Sequence, residues 1–106
     1  MYIADDAKIL EIARRVVATL APEQVVLFGS YAWGRPDAES DVDPYVVVPD
    51  SAGPSYRLAR RAYHVLRGLR VPVDLVVRTR GESERNAEVV STLDHLVLTR
   101  GVPLYG

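Results

Sequence analysis

One stretch, residues 25–48, constrains the fold more than any other part of this 106-residue chain. It opens with an apolar run that is typical of a buried strand in an α/β sheet, here predicted over residues 24–29. Gly29 ends the run, and glycine permits a tight turn and the close approach of a ligand to the backbone. Turn-forming residues then lead to a second predicted strand, residues 41–48. The stretch therefore predicts two neighbouring strands joined by a short polar excursion.

Two aspartates, Asp41 and Asp43, stand at the start of the second predicted strand. Because side chains alternate along a strand, both face the same way, while Val42 faces the other. Carboxylates roughly 6 to 7 Å apart on one strand face repel each other unless a cation lies between them. Magnesium suits such a position, since it prefers a few carboxylate oxygens together with phosphate oxygens. Together with Gly29 and Ser30 at this distance in the sequence, the pair favours a metal site over the alternative, a pair of turn acids that cap the preceding loop.

Ser30 stands at the start of a predicted short helix, residues 30–34. A hydroxyl and the free N–H groups of a helix start together form an anion site. Gly29 and Ser30 are therefore predicted to bind phosphate, and a helix cap is a compatible role for the serine.

The remaining elements are predicted from periodicity and turn signals. They are a helix over residues 4–20, a helix over 55–68, a strand over 71–77 and a last helix over 84–99. This order predicts an α/β or α+β domain with a small mixed sheet flanked by helices.

Composition limits the classes of function. With 48% hydrophobic and 25% charged residues, one globular domain is expected. The formal net charge of −1 gives no global case for binding nucleic acid or an anionic membrane. The absence of cysteine excludes disulfides and thiolate metal sites. No apolar run approaches transmembrane length, and the charged start of the chain excludes a signal peptide, so a cytoplasmic location is expected.

The predicted helix 55–68 has a face of arginines without an acid among them: Arg57, Arg60, Arg61 and Arg67. A solvated face is the favoured interpretation. Contact with a triphosphate, with RNA or with an acidic partner protein is the alternative.

The order Gly29, Ser30, ten residues, Asp41, any residue, Asp43 resembles the signature of the nucleotidyltransferase fold superfamily. It is most similar to the minimal nucleotidyltransferases, which are related to the antitoxin halves of prokaryotic HEPN and nucleotidyltransferase toxin–antitoxin pairs. The ending, residues 100–105, also resembles that family's usual finish. The resemblance implies a single minimal nucleotidyltransferase domain over residues 1–106, with a nucleotidyltransferase-like sheet.

One position departs from the family's pattern. Pro44 follows the second aspartate, where members usually carry another apolar residue. Proline donates no ladder hydrogen bond. Pro44 therefore affects how this strand pairs with its neighbour and in which direction the Asp43 side chain points.

Asp74 lies within the third predicted strand, between two apolar residues. Aspartate is seldom buried without a partner. A salt bridge with one of the many arginines is one interpretation. The other, supported by the resemblance, is a third carboxylate that joins the metal site or accepts a proton from the attacking hydroxyl.

The resemblance implies the magnesium-dependent transfer of a nucleoside monophosphate, AMP from ATP, to a hydroxyl acceptor. Ser30 and the surrounding N–H groups would hold phosphates, while Asp41 and Asp43 would hold one or two Mg²⁺ ions. In two-metal sites the ions stabilise the attacking and leaving oxygens. Asp74 would join the metal site or deprotonate the acceptor.

The resemblance also implies a partner, a HEPN-type ribonuclease toxin that this chain would modify and silence. Nucleic acid would then be involved only indirectly, and no membrane contact is expected. Two alternatives stay open. The chain is an enzyme acting on a small molecule such as an aminoglycoside, with its site completed in a homo-oligomer, or it is a non-catalytic module that neutralises its partner by contact.

Overall fold

A computed structural model describes residues 5–106 of the chain. Its elements are α1 (Asp6–Leu20), β1 (Gln24–Phe28), α2 (Ser30–Trp33), β2 (Asp43–Val48), a 3₁₀ turn (Asp50–Ala52), α3 (Ser55–Val65), β3 (Val76–Thr79), α4 (Arg80–Ala87), α5 (Leu93–Arg100) and β4 (Val102–Tyr105). The predicted class, a small mixed sheet flanked by helices, is confirmed. Over residues 5–106, none of the helices has the length and apolarity needed to cross a membrane.

The first helix forms because its start is capped and its apolar residues share one face. The Asp5 side chain accepts a hydrogen bond of 2.9 Å from the backbone N–H of Lys8, which satisfies one of the unpaired donors of a helix start. The buried residues of α1 recur at helical spacing: Ile9, Ile12, Ala13, Val16 and Leu20. The predicted first residue, Ala4, lies outside the described residues.

The four strands form one sheet in the order β3-β2-β1-β4. Strand β1 is antiparallel to both β2 and β4, whereas β2 is parallel to β3. In the β1–β2 pair, Phe28 lies opposite Asp43, so the end of β1 meets the start of β2. The sheet therefore brings the two ends of the signature stretch together.

The two faces of the sheet are covered by different helices. Val42, Val46 and Val48 belong to the larger hydrophobic cluster, which includes buried residues of α1 and α3. Tyr45 and Val47 belong to a smaller cluster with Val97 of α5. Because side chains alternate along a strand, Asp43 lies on the same face of the sheet as Tyr45, away from α1 and α3.

The bounds of the strands around Pro44 differ from the prediction. The second strand begins at Asp43 rather than at residue 41, and β3 begins at Val76 rather than at 71. Val42 and Val73 form an isolated parallel bridge, and regular pairing resumes at Tyr45 and Val76. Both pairs are 31 residues apart in the sequence, so the register is the same on both sides of the gap. Pro44 thus coincides with an interruption of the hydrogen-bond ladder between β2 and β3, and the register of the two strands does not shift. An interruption is expected at a residue that has no N–H to donate.

The predicted last helix, residues 84–99, is wrong, because two helices occupy this region. A capping box formed by Thr79 and Glu82 starts α4 at Arg80, earlier than predicted. The helix ends at Ala87, and the Thr92 side chain then accepts a hydrogen bond from the N–H of His95 to start α5. Other bounds differ as well, since α3 ends at Val65 rather than at 68 and β3 at Thr79 rather than at 77. The strand β4 was not predicted.

A buried polar network fastens α4 and α5 to the sheet. The Tyr45 side chain is fully buried, and its hydroxyl donates to Asp94 at 2.5 Å and contacts the Ser83 hydroxyl at 2.8 Å. Arg78 donates to the same Asp94 oxygen at 3.1 Å. Burial, followed by the bond to Asp94, raises the pKa of Tyr45, so the hydroxyl stays protonated. Two strands and two helices thus share a single satisfied network.

The Tyr45→Phe substitution removes that hydroxyl and leaves its partners underbonded in a closed environment. We expect the free energy of unfolding to fall by about 1 to 3 kcal/mol, measured by urea denaturation. The matched control is Tyr105→Phe on the half-exposed edge strand β4, for which we expect a change within about 0.5 kcal/mol. Equal stability of the Tyr45→Phe variant and the parent would contradict a structural role for the network.

Candidate active site

The candidate site lies where β1 ends and β2 begins. Because these strands are antiparallel and Phe28 pairs with Asp43, the residue that follows Phe28 is next to the Asp43 side chain. That residue is Gly29, and Ser30 then opens the short helix α2. The structure thus brings Gly29, Ser30 and Asp43 together, although Asp43 lies 13 positions beyond Ser30 in the sequence.

Gly29 is required at this point for two physical reasons. Its backbone has φ 76° and ψ −158°, a region that is essentially restricted to glycine. A Cβ atom built on it would overlap the Oδ2 atom of Asp43 and lie 3.0 Å from the Asp43 Cγ. The carboxylate therefore packs directly against the backbone of the turn, and only a residue without a side chain leaves room for it.

Electrostatic repulsion acts on the same carboxylate. Partial burial, then the charge of Asp74 and then that of Asp41, raise the pKa of Asp43 to about 6. Each of these charges disfavours ionisation of Asp43, so the three carboxylates form one negative cluster. A cation bound beside Asp43 would offset part of this repulsion.

The backbone holds Asp74 beside the start of β2. The Asp74 N–H donates to the Val42 carbonyl at 2.9 Å, and the Val42 N–H donates to the Pro72 carbonyl at 2.9 Å. The side chain of Asp74 is exposed and precedes β3, so the prediction that it lies within an apolar strand is wrong. The reason is the interrupted pairing next to Pro44, which delays regular β3 pairing until Val76.

The salt bridge considered for Asp74 is also not formed. Among residues 5–106, the arginines that lie within 4.0 Å of a carboxylate pair with Glu11, Glu23 or Asp94. Asp41 is exposed and lies just before the strand, next to the bridge formed by Val42. Both outer aspartates therefore face solvent at the rim of the cluster.

The cluster could supply only part of the ligands of a metal ion. Within the described part of the chain, no group of three or more His, Asp or Glu side chains is gathered closely enough to hold a metal ion. Magnesium commonly binds one or two protein carboxylates and takes its other ligands from water and substrate phosphates. The carboxylate chemistry of Asp41 and Asp43 fits that mode of binding, and it does not fit a closed protein cage.

A contact that the sequence did not predict holds α2 in place. The Trp33 indole N–H donates to the Arg100 carbonyl at 2.7 Å, at the end of α5. The Phe28 and Trp33 rings lie 6.4 Å apart between centroids, in a tilted arrangement. The turn that follows β1 is thereby fixed at both ends. No local pattern around Trp33 indicates a partner 67 residues away.

Comparison with known protein families shows to which family the chain belongs. A family model for the nucleotidyltransferase domain matches residues 7–99. The chain belongs to the nucleotidyltransferase domain family. The match includes the turn at Gly29 and the aspartates of the cluster, and it supports the general class of transferase. A search of curated proteins and a search of solved structures found no significant match.

A glycine substitution tests the close packing in this nucleotidyltransferase domain. Gly53 has φ 107° and ψ −171°, similar to Gly29, but a Cβ there would meet no atom of residues 5–106 within 4 Å. We expect Gly53→Ala to lower the free energy of unfolding by about 1 to 3 kcal/mol through backbone strain alone. Gly29→Ala should cost more, because it adds the overlap with Asp43.

A double substitution separates the two effects. In an Asp43→Ala background the carboxylate is gone, and the cost of Gly29→Ala should fall to that of Gly53→Ala. Urea denaturation measures all variants. The same cost for Gly29→Ala in both backgrounds would contradict the contact between Gly29 and the carboxylate.

The raised pKa of Asp43 predicts a pH dependence of stability. The ordinary pKa of 3.8 applies to the unfolded chain and a pKa of about 6 to the folded one, so the folded state binds this proton more tightly. The resulting stabilisation is complete below pH 3.8 and is lost as the pH rises through about 6. The Asp43→Asn substitution removes this pH-dependent stabilisation. We therefore expect the stability of the variant relative to the parent to increase between these pH values in metal-free urea titrations. A constant difference would contradict the raised pKa of Asp43.

Proposed function

We propose that the chain is a magnesium-dependent nucleotidyltransferase that transfers AMP from ATP to a hydroxyl acceptor and releases pyrophosphate. The observation that carries the proposal is the packing of the Asp43 carboxylate against the Gly29 turn, beside two further carboxylates. The family match supports nucleotide transfer as the general activity. The donor, the metal and the acceptor are part of the proposal.

Asp41 and Asp43 would hold one or two magnesium ions. Their repulsion supports this role, because a bound cation lowers the free energy of the ionised pair. When bound, the metal supplies positive charge that offsets charge on the phosphate oxygens. The open arrangement leaves ligand positions for a triphosphate.

Gly29 and Ser30 would position the phosphates. The absence of a side chain at Gly29 exposes the backbone next to Asp43, and the Ser30 hydroxyl follows directly. This proximity supports a site in which the metal-bearing carboxylate and the phosphate-binding turn contact the same triphosphate. The contact between Trp33 and Arg100 would keep the turn fixed during binding.

Asp74 would accept the proton of the attacking hydroxyl. The acceptor oxygen forms a bond to the α phosphorus as the bond from that phosphorus to the bridging oxygen breaks, and pyrophosphate leaves with the bonding electrons. The proton of the acceptor passes to the Asp74 carboxylate. The exposure of Asp74 at the rim supports this role, since an acceptor must reach it from solvent.

The acceptor would be a hydroxyl group on a partner protein, and we propose a HEPN-type ribonuclease toxin for which this chain is the antitoxin. The exposed positions of Asp41 and Asp74 leave the cluster open to a protein surface. The sequence resemblance supplies the class of the partner, and modification would silence it.

A contact-only antitoxin is the second candidate. Two observations favour it, namely the interruption of the ladder at Pro44 and the lack of a gathered three-ligand group among residues 5–106. In that case Asp43 would have no role in neutralisation.

Labelled ATP distinguishes the two candidates. The partner to test is the product of a neighbouring reading frame that contains an Arg, four residues and a His. We expect label from the α-phosphate to become attached to that protein in the presence of magnesium, and label from the γ-phosphate to leave as pyrophosphate. Asp43→Asn should abolish both the labelling and the neutralisation of the toxin.

The matched control is Asp37→Asn, which removes the same charge from the exposed 37–40 turn. It should label the partner as the parent does. Neutralisation that survives Asp43→Asn, without any labelling, would contradict the enzymatic proposal and support contact alone.

A further inference from the structure

The solvent-facing side of α3 carries a continuous set of basic side chains. Its members are exposed and recur at helical spacing, so they share one side of the helix and the turn that follows it. We call this set the α3 arginine stripe, and it comprises Arg57, Arg60, Arg61, His64 and Arg67. At a helical rise of 1.5 Å per residue, the stripe is about 15 Å long.

The charge of the stripe is not neutralised within the described chain. Among residues 5–106, the arginines in ion pairs are others: Arg14, Arg15, Arg78 and Arg80. Arg61 donates to a backbone carbonyl, that of Thr19, at 3.1 Å. The chain as a whole has a formal net charge of −1, but this surface carries a local excess of positive charge. Such an excess attracts polyanions.

Planar groups lie among these cations. The Tyr56 side chain is 63% exposed at the start of α3, and the Arg57 guanidinium lies 5.9 Å from the centre of its ring. A depression of about 390 Å³ between α1 and α3 is lined by Thr19, Arg60, Arg61, His64 and Val65. Its walls combine apolar surface with guanidinium and imidazole groups. Such surfaces accommodate a base against a ring or a guanidinium plane and a phosphate beside a cation.

We propose that the α3 arginine stripe binds single-stranded nucleic acid. The guanidinium groups bind successive phosphates, and bases stack on Tyr56 and His64. Acidic segments of a protein would complement the charge equally well, but their Asp and Glu side chains have no planar ring to stack on Tyr56 and His64. The interleaving of rings and arginines therefore favours nucleic acid.

This surface is separate from the candidate active site. Helix α3 packs on the face of the sheet that carries Val42 and Val46, whereas Asp43 lies on the face of Tyr45. The inference goes beyond the proposed function and stands whether or not that function holds. It gives the chain a direct contact with nucleic acid in addition to the indirect one expected through a partner.

Fluorescence anisotropy with a labelled oligouridine of about 16 nucleotides tests the proposal on the full chain. The test variant is Arg57→Gln/Arg60→Gln/Arg67→Gln, in which all three substituted positions are exposed. Because the variant lacks three cations that bind phosphates, the slope of log K against log salt should fall in magnitude by about 2. Circular dichroism confirms that the variant is folded.

The matched control removes the same charge elsewhere, with Arg14→Gln/Arg80→Gln/Arg85→Gln on α1 and α4. It should keep the salt dependence of the parent. An equal fall in the slope for the control, or no binding by the parent at about 50 mM salt, would overturn the proposal.

Tyr56→Leu separates nucleic acid from an acidic protein, because it keeps every charge of the stripe. Loss of base stacking should weaken oligouridine binding by roughly fivefold or more. Polyglutamate is the competitor that carries charge without bases. Unchanged binding by Tyr56→Leu, together with displacement of the RNA by polyglutamate at equal charge, would assign the surface to an acidic protein and overturn the proposal.

Discussion

The contact between the Asp43 carboxylate and the backbone of Gly29 is the interaction on which the account of this protein depends. It follows from the pairing of Phe28 with Asp43, which places the end of β1 against the start of β2. The contact restricts position 29 to glycine and partly buries a carboxylate that Asp74 and Asp41 already repel. A fold selected for stability alone has no use for such a cluster, whereas a site that binds a cation gains affinity from it.

Local chemistry made part of this site predictable. Alternation along a strand correctly predicted that Val42 points away from solvent, and a glycine after an apolar run correctly indicated a tight turn. The limits of β3 were not predictable, because the effect of Pro44 depends on which neighbour is denied its hydrogen bond. The same holds for β4, whose mostly exposed residues are ordered by backbone pairing with β1 and show no buried alternation. The break between α4 and α5 depends on capping side chains, which periodicity does not detect.

The two faces of the sheet carry different features of the molecule. On one face, the network of Tyr45, Ser83 and Asp94 anchors α4 and α5 behind the strand that bears Asp43. On the other face, α1 and α3 cover the larger core and leave the α3 arginine stripe in solvent. Negative charge is thus concentrated at the strand ends and positive charge on an outer helix. Strand β2 lies between the two regions, because it carries Asp43 at its start and packs against α3 through Val46 and Val48.

Calorimetric titration with ATP tests the central claim most directly, with magnesium present and then chelated, on the parent, Asp43→Asn and Asp37→Asn. We expect binding that requires both magnesium and Asp43 and that Asp37→Asn leaves unchanged. Binding of the same strength to the Asp43→Asn variant, or no binding of any of the common nucleoside triphosphates by the parent, would contradict a nucleotide site built on the Gly29 and Asp43 contact.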